Sequence, residues 1–141
     1  MLDLVYHILT TDTDVNTATG GRISAMIRPQ TETLPAIVFG LLDTKFENIT
    51  TMGSTTAGTT RSAGDIYTIG IACLDDGLGD AFDLHSKTRT ALEGFTPGIV
   101  TIGSNSYRVH SIHLVDIQAS VDEEGEIYVY EGLFEIMLSI Q

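Results

Sequence analysis

A chain of 141 residues has room for one domain, since domains mostly run to roughly 100–200 residues, and at this size about two-thirds of the unfolded surface is buried on folding. Its 19 Asp and Glu against 7 Lys and Arg give a net charge of −12. That balance argues against a general nucleic-acid binder, which gains affinity by neutralising phosphates. Disorder is excluded as well, because 43% of the residues are hydrophobic whereas disordered acidic chains are poor in apolar residues.

The acidity is uneven. Residues 1–70 hold 7 acids and 4 bases, while residues 71–141 hold 12 and 3. Only 18% of residues are charged, against about 25% in an average soluble domain, so the 19 Thr and 9 Ser must cover much of the surface. Small hydroxyl side chains lose less rotamer entropy on contact than Lys or Glu, which suits a protein that works against other proteins. Thr also suits strands, and a plain Thr-rich sheet surface is the competing reading.

In chain order, Leu2, Val5, Tyr6, Ile8 and Leu9 recur at helical spacing until the Thr/Asp-rich residues 10–14, which predicts a short amphipathic helix with Asp14 as cap of any further turn. Gly20-Gly21 signals a turn, and residues 22–27 follow as a short strand. Leu34-Pro35 then opens a strand whose residues 36–42 are apolar on both faces, as in the middle of a covered sheet, with a more polar continuation towards Ile49. Residues 50–64 contain six Thr and three Gly and read as a long flexible loop, either partner-contacting or a hairpin tip.

Residues 65–74 return as a strand with Tyr67, Ile69, Ile71 and Cys73 on one face, predicted to pair with 36–49. A helix follows from Leu78 to Glu93, with Ala81, Leu84, Thr88, Ala91, Leu92 and Phe95 as its stripe and Gly94 as its stop. Asp76, Asp80 and Asp83 lie near its start and Lys87 and Arg89 later, the order a helix dipole favours. Strands at 99–102 and 107–119 flank a turn at 103–106, and the acidic residues 122–126 precede a final strand at 127–140. In that strand Tyr128, Tyr130, Phe134, Ile136, Leu138 and Ile140 are predicted to face the core. The expected architecture is a single α+β domain: a mixed, mainly antiparallel sheet with one long helix and a short N-terminal helix packed on it.

Signals for chemistry are weak. His110 and His113, three apart on a strand, are expected on opposite faces and so unable to share one ion. Residues 122–126 lack the ligand order of a calcium loop. Asp75, Asp76, Asp80 and Asp83 have a sufficient cause in the helix dipole, and Cys73 sits mid-strand in an apolar run where a thiol packs rather than reacts. No nucleophile elbow, phosphate loop or dinucleotide fingerprint is present. The reading is therefore no enzyme, no metal and no cofactor. A lone Cys, no basic leader before the first apolar residues and no run near ~18 apolar residues lead to the expectation of a soluble protein made in the cytoplasm.

The succession of short N-terminal helix, Gly20-Gly21-Arg22-Ile23, spacer, Leu34-Pro35 with its apolar strand, variable loop, strand, single helix and strand pair resembles the tail-completion, or tail-terminator, proteins of long-tailed bacteriophages. The resemblance spans essentially the whole chain, which departs from the pattern in its long 50–64 loop and in having no Trp before the helix. It implies a virion neck protein, assembled in the host cytoplasm, that forms a ring, commonly a hexamer, on the last ring of the tail tube. Such a ring stops tube growth and presents the docking surface for the head connector, while DNA passes through without specific binding. On this reading Met52, Thr55, Thr56 and Arg61 of the loop contact a neighbouring ring. The final strand, with Glu131 and Glu135, supplies an exposed edge for the contact between copies, and Asp122, Glu123, Glu124 and Glu126 face the DNA path. Two alternatives stay open: a head-side connector or minor capsid protein, and a small dimeric ligand-binding α+β domain.

Overall fold

A computed structural model describes residues 1–26, 33–48, 62–122 and 125–140, with 43–48 and 62–64 as backbone only. The elements are α1 (Leu2–Thr11), α2 (Thr13–Thr19), β1 (Ile23–Ala25), β2 (Ala36–Asn48), β3 (Ser62–Asp75), α3 (Leu78–Glu93), β4 (Gly98–Ile102), β5 (Asn105–Val121) and β6 (Tyr128–Ile140). The strands form one sheet in the order β1-β2-β3-β6-β5-β4. The pair β1-β2 is parallel and every other neighbour antiparallel. The expected α+β architecture, with one long helix and a short N-terminal helix on a mixed sheet, is the one observed.

Two helices stand where one was expected at the N-terminus. Asp12 is extended between α1 and α2, and its side chain accepts the Val15 N–H at 3.0 Å, so Asp12 rather than Asp14 is the cap. At the far end of α2, Gly20 and Gly21 both have positive φ, where a side chain would be strained. This turn brings Arg22 to the start of β2: its Nε donates to the Pro35 carbonyl at 2.9 Å, and its own carbonyl accepts the Ile37 N–H at 2.9 Å. The Gly-Gly-Arg-Ile element is thus the corner that launches β1 alongside β2.

All three helices lie on one face of the sheet, and the core is the layer between. Ile37 and Phe39 from β2, Ile69, Ile71 and Cys73 from β3, and Phe134, Ile136 and Leu138 from β6 are buried with Leu4, Val5 and Leu9 of α1 and Leu84 and Leu92 of α3. Each such large side chain contributes about 1.5–3 kcal/mol by leaving water. The Tyr67, Ile69, Ile71, Cys73 face and the Leu78 to Glu93 helix agree with the sequence reading.

The differences are informative. The apolar run 36–42 does not lie in a sheet covered on both sides, because no described helix packs on the second face, and Leu42 is 59% exposed. Residues 62–64, read as loop, are strand, paired through Ser62 and Gly64 with β2. The β4-β5 turn is tighter than expected, since Asn105 and Ser106 already belong to β5. Ile140, expected in the core, is 61% exposed at the strand's end.

Candidate interaction surfaces

Met52, Thr55, Thr56 and Arg61 lie outside the described residues, as do Glu123 and Glu124. The remaining residues singled out in the sequence sit in two places. Asp122 and Glu126 are in the β5-β6 turn, where the Asp122 carboxylate accepts the backbone N–H groups of Glu126 at 2.8 Å and Ile127 at 3.1 Å. Asp122 therefore shapes the turn, and Glu126 is exposed.

Glu131 and Glu135 occupy the helix-free face of β6, and here the expected edge contact is overturned. Strand β6 pairs with β3 on one side and β5 on the other, so it lies inside the sheet and its main chain has no free edge. The alternating pattern that suggested the edge is equally the pattern of a central strand with one covered face. Glu135 approaches His113 Nε2 at 3.7 Å, and Glu131 lies over Gly70.

The histidines also depart from expectation. A bulge between Val109 and Ser111 breaks the alternation of β5, and His110 and His113 both reach β6 residues of the helix-free face, with His110 Nε2 2.9 Å from Ser139 Oγ. Their partners Ser139 and Glu135 are four positions apart on one strand, about 13 Å, so each ring serves a separate contact. Asp75, Asp76 and Asp80 place carboxylate oxygens within 4.8 Å of one another at the start of α3. Burial raises the Asp75 carboxyl, and the neighbouring Asp76 and Asp80 charges add to that. Cys73 is fully buried with its thiol 3.5 Å from Thr88 Oγ1, and burial pushes it up to about 12, which leaves it protonated and inert.

A buried titratable residue was not among those expected in the core. His85 is 2% exposed on the covered face of α3, and neither ring nitrogen has a hydrogen-bond partner. It fills the space opposite Gly132, where a Cβ would stand 2.7 Å from Phe134 and 3.0 Å from the imidazole. Gly132, interrupting the core-facing series of β6, was the available signal. Burial, with the Arg89 charge, lowers the imidazole's proton affinity.

The surfaces left for contact are main-chain margins and apolar hollows. Strand β1 covers β2 only at Ile37, Val38 and Phe39, so among the described residues β2 is unpaired on that side along 40–48. Strand β4 covers β5 only from Asn105 to Val109, so among the described residues 110–121 are unpaired on the outer side. Val115, Ile117 and Val121 are exposed along this second margin. On the helix-free face Met26 and Leu42 lie over Gly40 and Gly70 beside a hollow of about 230 Å³. A larger hollow of about 560 Å³ runs between α1, the end of α3 and β4, lined by Ile8, Thr11, Ala91, Phe95, Pro97 and Ile99 among others.

No protein-family model matches this chain, and no curated protein does. Among solved structures, the bacteriophage SPP1 gp17 protein is similar at 15% identity and a TM-score of 0.46, over 99% of this chain and 88% of that one. A chain in the virion of a native gene transfer agent particle is similar at 15% identity and a TM-score of 0.67, over 95% of this chain and 90% of that one. The chain shares the fold of that virion component along nearly its whole length.

Proposed function

We propose that this chain is a structural, non-enzymatic component of a phage-type virion neck, a terminator that closes as a ring, in the simplest case a hexamer, on the end of the tail tube. The observation that carries the reading is the whole-length fold likeness to a chain of a gene transfer agent virion. Two strand margins unpaired among the described residues support it, since a ring needs heterologous contacts and a free margin is a main-chain template for one. The ring ends tube polymerisation on one side and offers the head connector a surface on the other. DNA crosses the lumen without adhering because each copy brings a charge of −12, with Asp122, Glu123, Glu124 and Glu126 towards the channel. Met52, Thr55, Thr56 and Arg61 contact the adjoining ring.

Removing residues 54–60 tests this. The variant protein is expected to keep its circular dichroism spectrum, while particles built with it have tails of unregulated length or tails without heads. Normal virions overturn the role of residues 54–60. Co-purification of the intact chain with filled heads, and never with tails, overturns the terminator assignment in favour of a head-side connector.

A further inference from the structure

The two margins of the sheet are stepped, and the steps are complementary. Following the register across the sheet, β1 stands level with Ile37–Phe39 of β2, then with residues 71–73 of β3, 130–132 of β6 and 117–119 of β5. At this level the sheet has five strands among the described residues, β1-β2-β3-β6-β5, and none of those residues pairs with the outer side of β5. Strand β4 stands level with residues 107–109 of β5, 138–140 of β6 and, through the pairs Leu138↔Asp65 and Asp65↔Phe46, with residues 46–48 of β2. Here too the sheet has five strands among the described residues, β2-β3-β6-β5-β4, and none of those residues pairs with the outer side of β2. One margin projects where the other recedes.

We propose that copies of this chain join edge to edge through these steps, β1 of one copy lying beside residues 117–119 of β5 in the next, and β4 of that next copy lying beside residues 46–48 of β2 in the first. Because both levels are five strands wide, a single lateral displacement of five strand spacings, about 24 Å, makes both contacts at once. Strand directions agree with this. Tracing the pairings across the sheet, β1 runs antiparallel to β5, and β4 runs parallel to β2. A rotation about an axis roughly along the strands keeps these directions, so β1 adds to β5 as an antiparallel ladder and β4 to β2 as a parallel one. The receiving stretch of β5 lies beyond its second bulge, in continuous register from Asp116 to Val121. Two different margins meet, so the contact is heterologous, and the twist of each sheet turns successive copies towards closure rather than a flat ribbon. The inference rests on the ring reading above and specifies which surfaces make the ring.

Ser24 and Gln118 lie on one rung of this extended sheet, through Val38, Ala72 and Glu131. Within one copy they are four strand spacings apart, about 19 Å, well beyond disulfide reach, whereas across the junction they are direct neighbours. Neither position is in the core, so Ser24→Cys/Gln118→Cys should fold, and circular dichroism checks that it does. Oxidised in the presence of purified tail tubes, the double variant is expected to give a covalent ladder ending at the mass of the ring, with each single variant giving monomer. Dimers from Gln118→Cys alone show two-fold β5 pairing and overturn the proposal. Rings seen by electron microscopy without a ladder overturn it while leaving the ring reading intact. Absence of both rings and ladder overturns both.

Discussion

The same strands present two faces of opposite character. On the covered face Ile69, Ile71, Phe134, Ile136 and Leu138 have no exposure at all, and even a histidine is buried. On the helix-free face alternate residues of the same strands include Glu131, Leu133, Glu135 and Met137, all half-buried, next to exposed Leu42 and Met26. Period-two alternation allots each face its residues, and the helices choose which face becomes core. Stability is therefore concentrated on one side, and the other side and the margins are left to be shaped by contact.

Substitutions on the two faces should separate these roles. The largest effect is expected from Phe134→Ala, which empties a site with no exposure and should cost about 3–5 kcal/mol, read as a lowered midpoint in urea. If Phe134→Ala left the midpoint unchanged, the covered face would not be the core.

An intermediate effect is expected at His85. With its proton affinity lowered by burial and by Arg89, the folded imidazole stays neutral where the unfolded one binds a proton. Stability is then complete above the unfolded value of about 6.5 and is lost as pH falls from there towards the lower folded value. His85→Leu should hold or raise stability at pH 7, by up to about 2 kcal/mol, since it removes two unpaired polar atoms from the interior. It should also flatten the decline between pH 7 and pH 5; an equally steep decline in the variant would place the acid sensitivity elsewhere.

The smallest effect on folding is expected on the open face, where Leu42→Ser should change the urea midpoint by the equivalent of no more than about 0.5 kcal/mol. A loss comparable to that of Phe134→Ala would erase the distinction between the faces.

Legibility in the sequence followed the range of the interactions. The strand opening at Ala36, the alternation Tyr67-Ile69-Ile71-Cys73 and the stripe of Leu78–Glu93 are local signals, and the structure keeps all three elements, though not the second cover expected over 36–42. The position of a strand within the sheet is not local. Glu131 and Glu135 look alike whether β6 is an edge or, as observed, has β3 and β5 as neighbours. Likewise one extra residue near His110 reverses the facing of residues 111–114, until a second bulge before Asp116 restores it, which no count of intervals from a strand's start reveals. His85 borders the predicted stripe, four residues after Ala81 and three before Thr88, and its ring fits inside because Gly132 leaves room on another strand. The stepped margins depend on β1 and β4 stopping short, at three and five residues, and so appear only when all the registers are laid side by side.

The solitary thiol has a practical consequence. Cys73, sealed between β3 and α3, presents no sulfur to an alkylating reagent until those two elements part. Its rate of modification is thus a built-in clock for the opening of the core, and surface labels placed elsewhere on the molecule report without interference from it.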